Sequence, residues 1–163
     1  MTFQPSLRFR GSPKYSRGMA AVEFALTAPL LIFVMLAAAE VGRAFVYYDT
    51  LSYSIRNSAR YVSENVIDGD AGVVSNTLVA SAQTAARNLA VYGNVASSGV
   101  PILPNGESMT VNVAAAGKYN IRVDATYHYQ PMLGEVLPTF GFGSGPVPLA
   151  FDMQVGVTMR AIS

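Results

Sequence analysis

From Phe24 to Ala39 the chain carries no charged residue, and the apolar run extends from Met19 to Gly42 with only Glu23 and Glu40 interrupting it. At about 1.5 Å of rise per residue, roughly 20 such residues cross the hydrocarbon core of a bilayer. Residues 19–42 are therefore expected to form a transmembrane helix. The pattern changes after Arg43. Up to about Asn65 there is neither Pro nor Gly, and Ala44, Tyr48, Leu51, Ile55, Ala59 and Val62 recur at steps of three and four. That is an amphipathic stripe, so residues 43–65 should extend the same helix and lay one apolar face on a small domain. Arg43, Asp49, Arg56, Arg60 and Glu64 lie largely off the stripe and read as its solvated side.

Asp68-Gly69-Asp70-Ala71-Gly72 stops this helix. The segment has a superficial likeness to a calcium loop, but it lacks the full ligand spacing and the closing Glu, so a turn is expected. A second helix is predicted over about 77–92, capped by Ser75 or Asn76 and stopped by Gly93. Its buried face should comprise Leu78, Val79, Ala82, Ala85, Ala86 and Leu89. The period then becomes two. Met109, Val111 and Val113 alternate with polar residues, as do Ile121, Val123, Ala125, Tyr127 and Tyr129, and again Leu149, Phe151, Met153, Val155, Val157 and Met159. Strands are expected at about 109–115, 120–130 and 149–162, the first two joined at Gly117-Lys118 into a hairpin. The fold class is α+β: a long N-terminal helix, transmembrane in its first half, packed on a small domain with a second helix and a roughly three-stranded antiparallel sheet.

Composition narrows the chemistry. The 163 residues include no Cys and one His, which excludes disulfides, thiolate nucleophiles, Cys-ligated metals and His-rich metal sites. Only 13% of residues are charged and 51% are hydrophobic, a balance that argues against disorder and for a part that lives in lipid. His128 lies on the polar face of its strand without a nucleophile or metal partner in the pattern, so it reads as a surface residue. Gly141-Phe142-Gly143-Ser144-Gly145 cannot cradle a phosphate, because Pro146 and Pro148 prevent the helix such a loop must open. The stretch from Pro131 to Pro148 reads as a long loop, a place for partner contact. No catalytic residue, metal site, cofactor or small-molecule substrate is expected, and the chain is not expected to be an enzyme. With a net charge of +1 and no basic patch interleaved with aromatics, no nucleic acid is expected as partner either.

The charge is unevenly spread. Residues 1–18 contain Arg8, Arg10, Lys14 and Arg17 and no acid, and they read as a short disordered leader. A basic segment before an apolar span keeps the N-terminus in the cytoplasm, so residues after about 43 are exported. Three readings fit that order: a permanent anchor, a secretory signal cut at Ala37-Ala38-Ala39 to start the product at Glu40, and a prepilin-type leader. Glu23 at the head of the apolar run weighs against the secretory reading.

Around that acid the chain reads Arg17-Gly18-Met19-Ala20-Ala21-Val22-Glu23-Phe24. A cut after Gly18 would make Met19 the first mature residue and Glu23 the fifth, which looks like the prepilin-peptidase signal of type IV filament proteins. Glu23-Phe24-Ala25-Leu26, Pro29-Leu30-Leu31, Glu40-Val41-Gly42-Arg43 and Ser58-Ala59-Arg60-Tyr61 resemble the TadE-like minor pilin (pseudopilin) family of the Tad/Flp pilus system. The close likeness covers about residues 17–62; the remainder fits by shape alone.

The resemblance implies a leader at 1–18 removed between Gly18 and Met19, a membrane helix at 19–42 and an exported domain at 43–163. It implies that Glu23, Pro29, Glu40, Gly42 and Arg43 serve assembly or helix pairing. It also implies a place in the bacterial inner membrane, or in extracellular pili, and a role in assembling or priming Flp pili for surface attachment. The partners it implies are a prepilin peptidase, the major Flp pilin, a companion minor pilin and the inner-membrane assembly platform. The residues add their own physics. Gly18 leaves the backbone unhindered in a protease cleft. Pro29 removes the helix hydrogen bond to the carbonyl of Ala25. Gly42 permits close helix approach. A periplasmic binding module unrelated to pili, anchored or released, is the competing expectation.

Overall fold

A computed structural model describes residues 14–69, 72–132, 134, 136–137, 145 and 147–161. Residues 1–13 of the basic leader, Asp70 and Ala71 of the expected turn, and most of the Pro131–Pro148 stretch lie outside the described residues. The chain divides into two compact units, Met1–Ala39 and Glu40–Ser163.

The first unit is the N-terminal part of α1, a helix that runs over Lys14–Asn65 and contains Pro29. It starts earlier than the sequence pattern suggests, inside the basic leader, and passes through Gly18. Within this unit Met19, Phe24, Leu26, Leu31 and Met35 are each more than 60% exposed. An apolar surface exposed on this scale suits lipid or other helices rather than water. Among the described residues there is one helix long and apolar enough to cross a membrane, and it is this one.

The second unit is an α+β domain. Its elements are the rest of α1, a two-residue strand pair β1 (Ile67–Asp68) and β2 (Val73–Val74), helix α2 (Asn76–Tyr92), a 3-10 turn at Gly106–Ser108, and strands β3 (Thr110–Ala115) and β4 (Asn120–Tyr129). A second short pair, β5 (Val136–Leu137) and β6 (Val147–Pro148), precedes β7 (Phe151–Arg160). The main sheet has the order β3-β4-β7 and is antiparallel throughout. The expected hairpin is present: β3 and β4 pair from Thr110↔Thr126 to Ala115↔Ile121, and Gly117 supplies the turn with φ of +102°.

Period-two burial holds on the central strand, where Ile121, Val123, Ala125, Tyr127 and Tyr129 are all buried. Leu51, Ile55, Ala59 and Val62 of α1 are fully buried against this core, as their spacing requires. The upper end of the stripe differs from expectation. Tyr47 packs on the core and Tyr48 stays half exposed. Phe151, expected on the buried face of the last strand, is likewise about half exposed. These two rings line an open groove of about 370 Å³ with Val41, Ala44, Phe45 and Met153.

α2 begins one residue earlier than predicted. Ser75 occupies the N-cap position but its side chain makes no capping bond, while Gly93 ends the helix at φ of +73° as expected. Its buried face is Val79, Ala82, Ala86, Ala90 and Val91, displaced toward the C-terminal turn from the set the spacing suggested. An interhelix bond marks the face that is turned in: the buried Ser58 hydroxyl of α1 donates to the carbonyl of Ala86 at 2.8 Å. The segment after α1 is tighter than a bare turn. Val74 N–H donates to Lys118, and Ser75 N–H to Val66, which ties β2 to both the hairpin and the end of α1.

Candidate functional site: a buried Glu–Arg–Tyr node

At the start of the second unit a carboxylate is taken out of water. Glu40 is 7% exposed, and burial of an acid on a helix demands compensating partners. Three donors converge on its Oε1. Arg43 Nη2, one helical turn on, lies at 2.6 Å; the Tyr129 hydroxyl lies at 2.5 Å; and the Met132 backbone N–H lies at 3.2 Å. Arg43 is held from two further sides. Its Nε donates to the Tyr129 oxygen at 3.2 Å, and its Nη2 donates to the Gln130 carbonyl at 3.2 Å. Tyr129 thus accepts from the guanidinium while giving its one proton to the carboxylate.

Aromatic rings close the sides. The guanidinium carbon sits 5.6 Å from the ring centroids of both Tyr47 and Tyr129, within cation–π range. Tyr47 meets Tyr129 edge-on at 5.7 Å and Tyr127 at 6.5 Å. The Tyr127 hydroxyl donates to the Pro104 carbonyl, and Asn105 donates to the Gln130 side chain. Burial is the main influence on the two phenols and pushes both up from the ordinary tyrosine range. Tyr129 is pushed further by its bond to Glu40, and Tyr127 by the neighbouring Tyr47 and Tyr129. Among the described residues no buried side-chain nitrogen or oxygen lacks a partner, so the node is a satisfied network. Chemically it is a clamp. It ties the residues of α1 that open the domain to the end of β4 and the backbone beyond it.

The family described as TadE-like protein matches residues 18–60. Over this segment, about a quarter of its length, the chain is similar to that family. Neither the comparison with curated proteins nor that with solved structures gave a match. The matched segment contains every site residue singled out in the sequence.

The structure brings those residues together unequally. Glu40 and Arg43 form the centre of the node. Gly42, between them, is exposed, and a Cβ added there would meet nothing within 4 Å. Gly18, Met19, Glu23 and Pro29 are exposed along the helical first unit of the TadE-like segment. Nothing lies within 4 Å of where a Gly18 Cβ would stand. The Thr27 hydroxyl returns to the Glu23 carbonyl at 3.0 Å, which gives this exposed polar group a partner within its own helix.

Tyr129, Gln130, Met132 and Tyr47 were missed by sequence reasoning. One signal was available: a tyrosine on a buried strand face must find a partner for its hydroxyl. The partner stands 89 residues away in the chain, and spacing alone does not reach that far.

Proposed function

We propose that this chain is a non-enzymatic minor pilin or pseudopilin of the Tad/Flp system, anchored by residues 19–42 with its N-terminus in the cytoplasm. A prepilin peptidase removes its leader between Gly18 and Met19. The mature protein then takes part in assembling or priming pili with the major pilin, a companion minor pilin and the inner-membrane platform, and so in surface attachment. The observation that carries this reading is the TadE-like match over residues 18–60, which opens at Gly18 and covers Glu23 and the apolar helix.

The chemistry is coherent. Cleavage creates an amine on Met19, four residues before Glu23, and groups so spaced share one face of a helix. That cation can neutralise the carboxylate of its own helix or of a neighbour. A charge deep in a span costs on the order of 2.5–3.5 kcal/mol, and less near the interface. Pairing between neighbours offsets part of that cost and fixes their axial stagger.

The test is a strain carrying Glu23→Ala, scored for the mature N-terminus, recovery of other pilins and surface pili. Leader removal should continue, with Met19 as first residue, while partner recovery and piliation fall. A product starting at Glu40, or normal pili in the variant, would overturn the proposal.

A further inference from the structure

The two edges of the main sheet are treated differently. On β3 two outward-facing groups at the middle of the strand are capped by α2: the Gln83 side chain donates to the Val111 carbonyl at 2.7 Å and accepts from Val113 N–H at 2.9 Å. The amide stands where a neighbouring strand would, which removes that edge as a template for pairing. On β7 no strand pairs with the outer edge among the described residues. This edge is ten residues long. It has a cost on its apolar face too. Val155, Val157 and Met159 are only half-buried, whereas the central strand's apolar residues are buried throughout.

The sequence of β7 is complementary to itself when reversed. Ala161 N–H donates inward to Tyr119, so the odd-numbered residues of β7 bond to β4 and the even-numbered ones turn their backbone groups outward. An antiparallel copy centred on Gly156 sets even against even. Asp152 then faces Arg160 of the other strand at both ends, Gln154 faces Thr158, and Gly156 faces itself. On the opposite side of the sheet Met153 meets Met159 and Val155 meets Val157. Slipping the pairing by one step in either direction that preserves the backbone pattern loses both opposite-charge pairs. Asp152 and Arg160 are exposed. Asp152 lies 2.7 Å from His128 and the Arg160 guanidinium rests over Tyr119 at 5.9 Å, both on the β4 side, so pairing across the edge exchanges these exposed contacts for ion pairs with the second copy.

We propose that β7 is a homotypic interface: two copies of this chain join their sheets edge to edge through antiparallel β7 pairing centred on Gly156. The contact is isologous, so each copy contributes the same strand and it closes as a pair. Main-chain bonds supply affinity, and the Asp152–Arg160 pairs select the register. The inference depends on the sheet and not on the filament reading.

The chain has no Cys, so introduced thiols report alone. Full-length Gln154→Cys and Thr158→Cys variants are mixed in mild detergent and oxidised. Residues in a bonded antiparallel pair have Cα atoms about 5.5 Å apart, within disulfide reach. The mixture should give a covalent dimer and each variant alone should not. Adding Asp152→Lys to both chains should abolish the cross-link. Carrying Asp152→Lys on the Gln154→Cys chain and Arg160→Glu on the Thr158→Cys chain should restore it, because each reversed charge then meets its complement. No cross-link in the mixture, equal cross-linking of either variant alone, or no rescue by the split charge reversal would overturn the proposal.

Discussion

Glu40 illustrates how one buried acid can organise a domain entrance. Its oxygen receives three donors, so truncation to Ala leaves Arg43 half-buried without its counter-charge and Tyr129 with only the long contact to the residue-40 carbonyl at 3.4 Å. Breaking one member of a buried pair costs roughly 3–5 kcal/mol, and the partial exposure of Arg43 puts Glu40→Ala near about 3 kcal/mol. Tyr129→Phe keeps the ring packing but removes both the bond to Glu40 and the acceptor of Arg43 Nε, so a loss of about 1.5–3 kcal/mol is expected. Arg43→Lys should not restore the wild type, since a single ammonium cannot reach carboxylate, phenol and carbonyl at once. Chemical denaturation of the three variants in detergent checks the order. Equal stability of Glu40→Ala and wild type would show the node to be decorative. At this scale the sequence marked Glu40 and Arg43 through their motif. It did not reveal that both are satisfied within their own chain, because Tyr129, Gln130 and Met132 are brought there only by the sheet.

Elements were legible where one periodicity dominates. The stripe Leu51–Ile55–Ala59–Val62 and the alternation along β4 each bury one face as their spacing requires. The misplacements occur where packing overrides spacing. Tyr47 replaces Tyr48 because the aromatic cluster with Tyr127 and Tyr129 lies on its side of α1. The short pairs β1–β2 and β5–β6 have two residues per strand, too few for alternation to register. Gln83 could not be read at all: nothing in a helical pattern shows that a polar side chain will seal a strand edge. Its effect is measurable. Gln83→Ala leaves the Val111 carbonyl and Val113 N–H without their partner, and an uncompensated buried group costs about 1–3 kcal/mol. Hydrogen exchange at Val113 should accelerate by more than at Val123 on the central strand. Unchanged exchange at Val113 would mean that other groups already cover the edge.

For the molecule as a whole, two phenols held neutral at the core set an alkaline limit. Tyr127 and Tyr129 both titrate above their ordinary range, first because burial disfavours the phenolate. The unfolded chain releases these protons at about pH 10, the folded one only at higher pH. The folded state therefore binds more protons across that window, and stability falls as pH rises through it. Their contribution is complete below about pH 10 and is lost progressively above it. Both rings belong to the second unit, as do Glu40 and, among the described residues, the fully buried apolar ones, so the alkaline transition reports on that unit. Unfolding by denaturant at neutral pH and at a series of alkaline values should show a declining stability. The decline should be shallower in the Tyr127→Phe, Tyr129→Phe double variant, which has no phenol to ionise at either position. The variant starts lower at neutral pH because it has lost the bonds to Pro104 and Glu40, yet it should converge on the wild type as pH rises. Parallel curves over the whole range would show that ionisation of other groups sets the limit and that the buried phenols do not.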